Sequence, residues 1–81
     1  MEEKDIKKMV FNALKTIAPE ADVEHLEPSV RFREQFEFDS VDFLNLIMSF
    51  QKSLDITIPE EDYPKLSSLN GIIQYLLNVR P

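Results

Sequence analysis

In the stretch FDSVDF, Phe38 to Phe43, one serine stands between two aspartates: Asp39 directly precedes Ser40, and Asp42 follows one residue after Val41. A serine hydroxyl can act as a nucleophile or can serve as the attachment point of an ester. The nucleophile needs an adjacent base to take its proton. No histidine or lysine lies in this stretch, and the chain's one histidine, His25, has no cysteine or second histidine to work with. Serine hydrolysis is therefore disfavoured. Two readings remain. In the structural one, Asp39 is a helix N-cap, Asp42 closes a capping box, and Ser40 fills the first helical position. In the other, that same position points the hydroxyl outward beside unpaired backbone amides at the positive end of the helix dipole, where a phosphate ester is well placed.

The element that has to present Ser40 is a helix running from Ser40 to about Leu54. At a hundred degrees per residue, Phe43, Leu44, Leu46, Ile47, Phe50 and Leu54 share a broad apolar side, while Asp42, Asn45, Ser49 and Lys52 lie opposite. Val41 and Met48 fall between the faces, on an edge that a small bundle would leave partly open. Upstream, Ile6, Met9, Val10, Ala13, Leu14 and Ile17 recur at helical spacing. That spacing predicts a first helix over about residues 3 to 17, with Pro19 just beyond it. Between the two helices, residues 18 to 38 hold no sustained period. They read as a long loop pegged across the bundle by Val23, Leu26, Val30, Phe32, Phe36 and Phe38.

After Leu54, Pro59 followed by Glu60, Glu61 and Asp62 suits a helix start, and Pro64 keeps that helix short, over about 60 to 66. Ser67 or Ser68 can cap a last helix whose Leu69, Ile72, Ile73, Leu76 and Leu77 face the core. Gly71 is expected to weaken its first turn by up to about 1 kcal/mol. This helix ends near Asn78, with Pro81 as a breaker beyond. No period-2 stretch is long enough for a sheet; Asp55-Ile56-Thr57-Ile58 is the best strand candidate and has nothing to pair with. The expected fold is all-α: a four-helix bundle of three longer helices and a short third one, forming a single domain over residues 1 to 81, with a long loop between the first two.

Fifteen acids against nine Lys and Arg give a formal charge of -6, which repels nucleic-acid phosphates and anionic lipid and favours basic protein partners. One glycine cannot build a phosphate-cradling loop, and without cysteine there is neither a disulfide nor a thiolate metal site. The first ten residues alternate charge with apolar residues and lack a signal peptide's core, and no later run approaches membrane-spanning length. A cytoplasmic monomer without catalytic or metal-binding residues is the expectation.

From Phe36 to Leu76 the sequence resembles the acyl carrier protein family. The resemblance rests on Asp39-Ser40-Val41 opening a helix, Met48 within that helix, and Ile58-Pro59-Glu60-Glu61 before a short third helix. It implies a 4'-phosphopantetheine arm, attached from coenzyme A to Ser40 by a phosphopantetheinyl transferase, whose thiol carries acyl groups as thioesters. On this reading Asp39 is the cap and part of the motif. Asp42, Glu60 and Glu61 would meet basic patches on acyl-transferring or acyl-modifying enzymes in fatty-acid, polyketide or related acyl metabolism, and Val41, Met48 and Ile58 would add apolar contact. The chain departs from the family where a glycine becomes Glu37, where the leucine after the serine becomes Val41, and where acids give way to Asn45, Gln51 and Lys52. Charge mainly sets partner choice and association rate, so a specialised carrier is expected. A carrier of aminoacyl or D-alanyl groups shares the arm and fold. An unmodified acidic helical module that binds a basic partner is the reading from another class.

Overall fold

A computed structural model describes residues 2–79; Pro81, expected as the terminal breaker, lies outside them. The described residues are helical without any strand. Helix α1 spans Glu3–Ile17 and buries Ile6, Val10 and Leu14, one residue per turn along one stripe. A 3-10 turn, Val23–His25, and a four-residue helix α2, Phe32–Gln35, interrupt the long connection. Helix α3 spans Ser40–Leu54, a second 3-10 helix covers Glu60–Leu66, and α4 spans Leu69–Asn78. The predicted four-helix bundle is observed, its short third helix being of the tighter 3-10 type. Pro64 within it has no N–H to give.

Helix α1 packs against both α3 and α4, and the second 3-10 helix packs on α4. The core where they meet holds Leu46, Ile47 and Phe50 from α3, Leu66 from the 3-10 helix, and Leu69 and Ile72 from α4, all buried. Two residues assigned to this core by helical wheel lie outside it. Leu44 is 44% exposed and Leu77 is 47% exposed. A wheel marks an apolar face, but a bundle this small has too few neighbours to cover the edges of that face.

The long connection is held as expected by Val23 and Phe32, which are buried, with Leu26, Val30, Phe36 and Phe38 half-buried. It is held by hydrogen bonds as well. The Gln35 amide accepts from Glu27 N–H at 2.7 Å and donates to the carbonyls of Glu27 and Val30 at 2.9 and 2.8 Å. Phe32 N–H donates to Ser67 O at 3.0 Å and Asn70 N–H to Pro28 O at 2.9 Å, tying the loop to the start of α4.

The segment after α3 turns on Asp55, whose φ of 53° makes it a left-handed helix stop. Gln51 Oε1 then accepts Ile58 N–H at 2.9 Å, drawing Ile58 inward until only 3% of it is exposed. Asp55 is the one non-glycine residue with positive φ among the described residues, so the glycine-to-Glu37 departure brings no left-handed strain.

Gly71 has a steric reason that helix propensity does not show. A Cβ at this position would overlap the backbone oxygen of Lys65. The glycine lets the 3-10 helix lie directly on α4, so its low helix propensity is the lesser effect. Tyr75 supports the same contact by donating from Oη to Asp62 Oδ2 at 2.7 Å. This bond, then the Lys65 bond to the same carboxylate, holds Asp62 below the usual aspartate range. Burial, reinforced by the Asp62 bond and charge, pushes Tyr75 up to about 12.

Candidate functional site

The start of α3 has the cap read from the sequence. Asp39 Oδ1 accepts Asp42 N–H at 2.9 Å, and Asp42 Oδ2 accepts Asp39 N–H at 3.3 Å, a reciprocal capping box. Phe43 N–H goes to Asp39 O at 3.0 Å. Among the described residues the amides of Ser40 and Val41 have no partner, and neither does Ser40 Oγ. Ser40 is exposed. Each flanking carboxylate gives one oxygen to the box, and among the described residues none is hydrogen-bonded to the hydroxyl to take its proton. The helix start presents it instead, next to two free N–H groups that suit a phosphate ester.

Beside Ser40 lies a cleft of about 460 Å³, lined by Phe32, Phe38, Phe43, Tyr63 and Pro64 with Arg33, Asp39 and Ser67 at its polar margin. Its aromatic rings form two groups. Phe32 and Phe38 lie with centroids 5.5 Å apart, each also packed on Phe36 outside the cleft, and Phe43 meets Tyr63 edge-on at 6.0 Å. A larger open depression of about 1040 Å³, between residues 17–21 and 33–39, does not include Ser40. The smaller cleft is the one that bears on the serine.

Along α3, Val41 is 63% exposed and Met48 61% exposed. Leu44 stands between them, three residues after one and four before the other, so the edge expected to stay partly open is a continuous apolar line. The sequence reading missed Leu44 by assigning it to the core; its spacing from Val41 and Met48 was the available signal. Asp42 is half-buried, whereas Glu60 and Glu61 are exposed at the start of the 3-10 helix, outside the Ser40 cleft. Ile58 does not join them. Buried at 3% exposure, it offers no surface to a partner, and its assignment to the apolar contact is corrected. The cleft residues Arg33 and Tyr63 were also missed, because they come from two short helices that only the fold brings to Ser40, and Phe38, although two residues from Ser40, was read only as a loop anchor.

A helical scaffold with an exposed, unbonded serine at a helix start suits a covalently attached group better than hydrolysis. The comparisons agree in kind. The family described as Phosphopantetheine attachment site matches residues 10–76. An acyl carrier protein of Helicobacter hepaticus is 28% identical over 69 residues, covering 82% of this chain and 91% of that protein. The chain belongs to the acyl carrier protein family, a carrier and not an enzyme, with a domain that is the attachment site of covalent 4'-phosphopantetheine. When bound, that group supplies the thiol that a chain without cysteine lacks. The unengaged hydroxyl and paired free amides at the α3 start fit such a phosphodiester.

Proposed function

We propose that Ser40 Oγ is the atom that bears 4'-phosphopantetheine and that the chain carries acyl intermediates as thioesters in fatty-acid, polyketide or related acyl metabolism. The observation that carries this reading is the exposed, unbonded hydroxyl of Ser40 beside the free amides of Ser40 and Val41, within the residues the family matches. Asp39 fixes that geometry through its cap. Among the described residues the proton of the hydroxyl has no acceptor, so the phosphopantetheinyl transferase has to bring the base. With coenzyme A as donor, the expected setting is the cytoplasm. Incubation with coenzyme A and a broad-specificity transferase, followed by intact mass, tests the assignment. A pantetheine-sized gain that vanishes in Ser40→Ala supports it; a folded sample that gains nothing returns the chain to an unmodified binding module.

The partner face we propose is the line Val41, Leu44 and Met48 with Asp42, extended by Glu60 and Glu61. Within α3, Asp42 is the one acid and Lys52 the one cation, and the Gln51 side chain is occupied by Ile58 N–H. Contact along α3 therefore depends more on apolar area than on charge, which supports a carrier with a dedicated set of partners. Exchange with housekeeping fatty-acid enzymes at the rate of their own carrier would refute that specialisation.

A further inference from the structure

Granting that Ser40 bears the arm, we infer that the cleft beside it selects flat aromatic or conjugated acyl cargo over saturated chains. The chain has six phenylalanines and two tyrosines, and Phe32, Phe38, Phe43 and Tyr63 all line this cleft. Among the described residues no Leu, Ile, Val or Met side chain lines it, although such residues make up most of the buried core. The apolar lining of the cleft is thus of one kind, rings.

That composition discriminates between cargoes. A saturated chain entering the cleft gains by removing apolar area from water. A ring or conjugated system of the same size gains that too, and adds offset or edge-to-face pairing with the rings around it. Arg33 lines the cleft as well, and among the described residues no carboxylate pairs with it, leaving a guanidinium free to stack on a flat group.

The walls are held in place. Phe32 is pinned through its N–H to Ser67 O and packs against Phe36 and Phe38. Tyr63 sits on the 3-10 helix that Asp62 and Tyr75 tie to α4, and meets Phe43 at an interplanar angle of 79°. Walls tied in this way keep the ring faces and edges arranged for pairing with a flat group, which a saturated ring or chain of the same size cannot match.

The test loads Ser40 with hydrolysis-resistant amide analogues of acyl pantetheine, supplied as coenzyme A analogues, and confirms each loading by intact mass. Benzoyl is compared with cyclohexanecarbonyl, and cinnamoyl with 3-cyclohexylpropanoyl, so that size is matched. Proton NMR then reads nuclear Overhauser contacts from cargo to the Phe43 and Tyr63 rings and the ring-current shift of the cargo. The expected result is an inserted fraction greater for the flat cargo by roughly 2- to 10-fold, with the difference reduced in Tyr63→Leu and in Phe38→Leu. Equal or stronger insertion of the saturated partners in the wild-type protein overturns the inference while leaving the carrier reading intact. So does the same set of contacts from an arm without cargo, which would make the arm itself the occupant. A folded sample that takes up no mass overturns the Ser40 assignment and the cleft's role together. The wild-type comparison does not depend on the variants folding.

Discussion

Two helix starts in this molecule each have a serine, and they differ in what that serine is free to do. At α4, Ser68 is the cap: its Oγ accepts Gly71 N–H at 3.2 Å, and the Asn70 amide is taken by Pro28 O at 2.9 Å. At α3, Asp39 is the cap, and Ser40 stands one position later with its hydroxyl and amide both unengaged. One residue of displacement separates a serine consumed by structure from one available for chemistry. The neighbours reinforce the difference, since Ser68 is half-buried close to Lys65 and Ser40 is exposed.

The largest expected effect tests that contrast directly. Ser40→Ala should abolish loading with phosphopantetheine while changing stability by less than about 0.5 kcal/mol, since it removes no hydrogen bond. Ser68→Ala should do the reverse, lowering stability by about 1 kcal/mol and leaving loading intact. Intact mass and urea melts on both proteins read the crossing. If the two substitutions destabilise equally, the distinction between capping and presented serine is lost.

Next comes the contact that closes the α4 side. Gly71→Ala gives a better helix former, worth about 1 kcal/mol in an open helix, yet its Cβ would run into the Lys65 carbonyl. That atom is backbone and cannot swing aside, so the steric cost prevails and the protein should lose about 1–3 kcal/mol. A stabilised variant in thermal melts would mean that the 3-10 helix yields easily and that this contact does not require a glycine.

The α3 cap follows in size. Asp39→Ala leaves Asp42 N–H without its acceptor and should cost about 1 kcal/mol, with slower loading because Ser40 is no longer held at a formed helix start. Asp39→Asn keeps an acceptor oxygen and should recover most of the stability. Loading rates measured beside the melts separate the cap from the charge: a rate that stays low in the asparagine variant assigns the charge to the transferase contact.

These differences mark how far the sequence could be read. Helices α1 and α3 and the Asp39–Asp42 box were legible because each is local: periodicity and capping act within a few residues. The line Val41, Leu44 and Met48 was only partly legible, since whether Leu44 is covered depends on how many neighbours the bundle can place around α3. Gly71 looked like a weak point for the same reason. What requires a glycine there is the Lys65 carbonyl, which comes from the preceding 3-10 helix and meets Gly71 only once that helix packs on α4. Gln35 and Gln51 gave no signal at all. Each satisfies backbone groups five to eight residues away, in segments without any period. Ile58 was assigned to the surface by its position in the family motif, and the Gln51 bond to its amide explains why it is inside.

The smallest effect concerns what holds the closed side closed. Tyr75 donates to an ionised Asp62, whose pKa this bond lowers first and Lys65 second, while Tyr75 itself is raised to about 12. A depressed carboxylate contributes stability above its unfolded value and loses it as pH falls through the lower folded value; a raised tyrosine contributes below its unfolded value near 10 and loses it as pH climbs through about 12. Both arms describe one bond, neutral hydroxyl to charged carboxylate. Tyr75→Phe should therefore melt below the wild type by a margin that is flat between about pH 5 and 9 and narrows toward either extreme. Because the 3-10 helix carries Tyr63, the same variant should also loosen the edge-on contact with Phe43 beside Ser40. A margin that stays constant from acid to alkali would place the role of Tyr75 in packing alone, and the difference between the better-bonded start of α4 and the open start of α3 would then owe nothing to this pair.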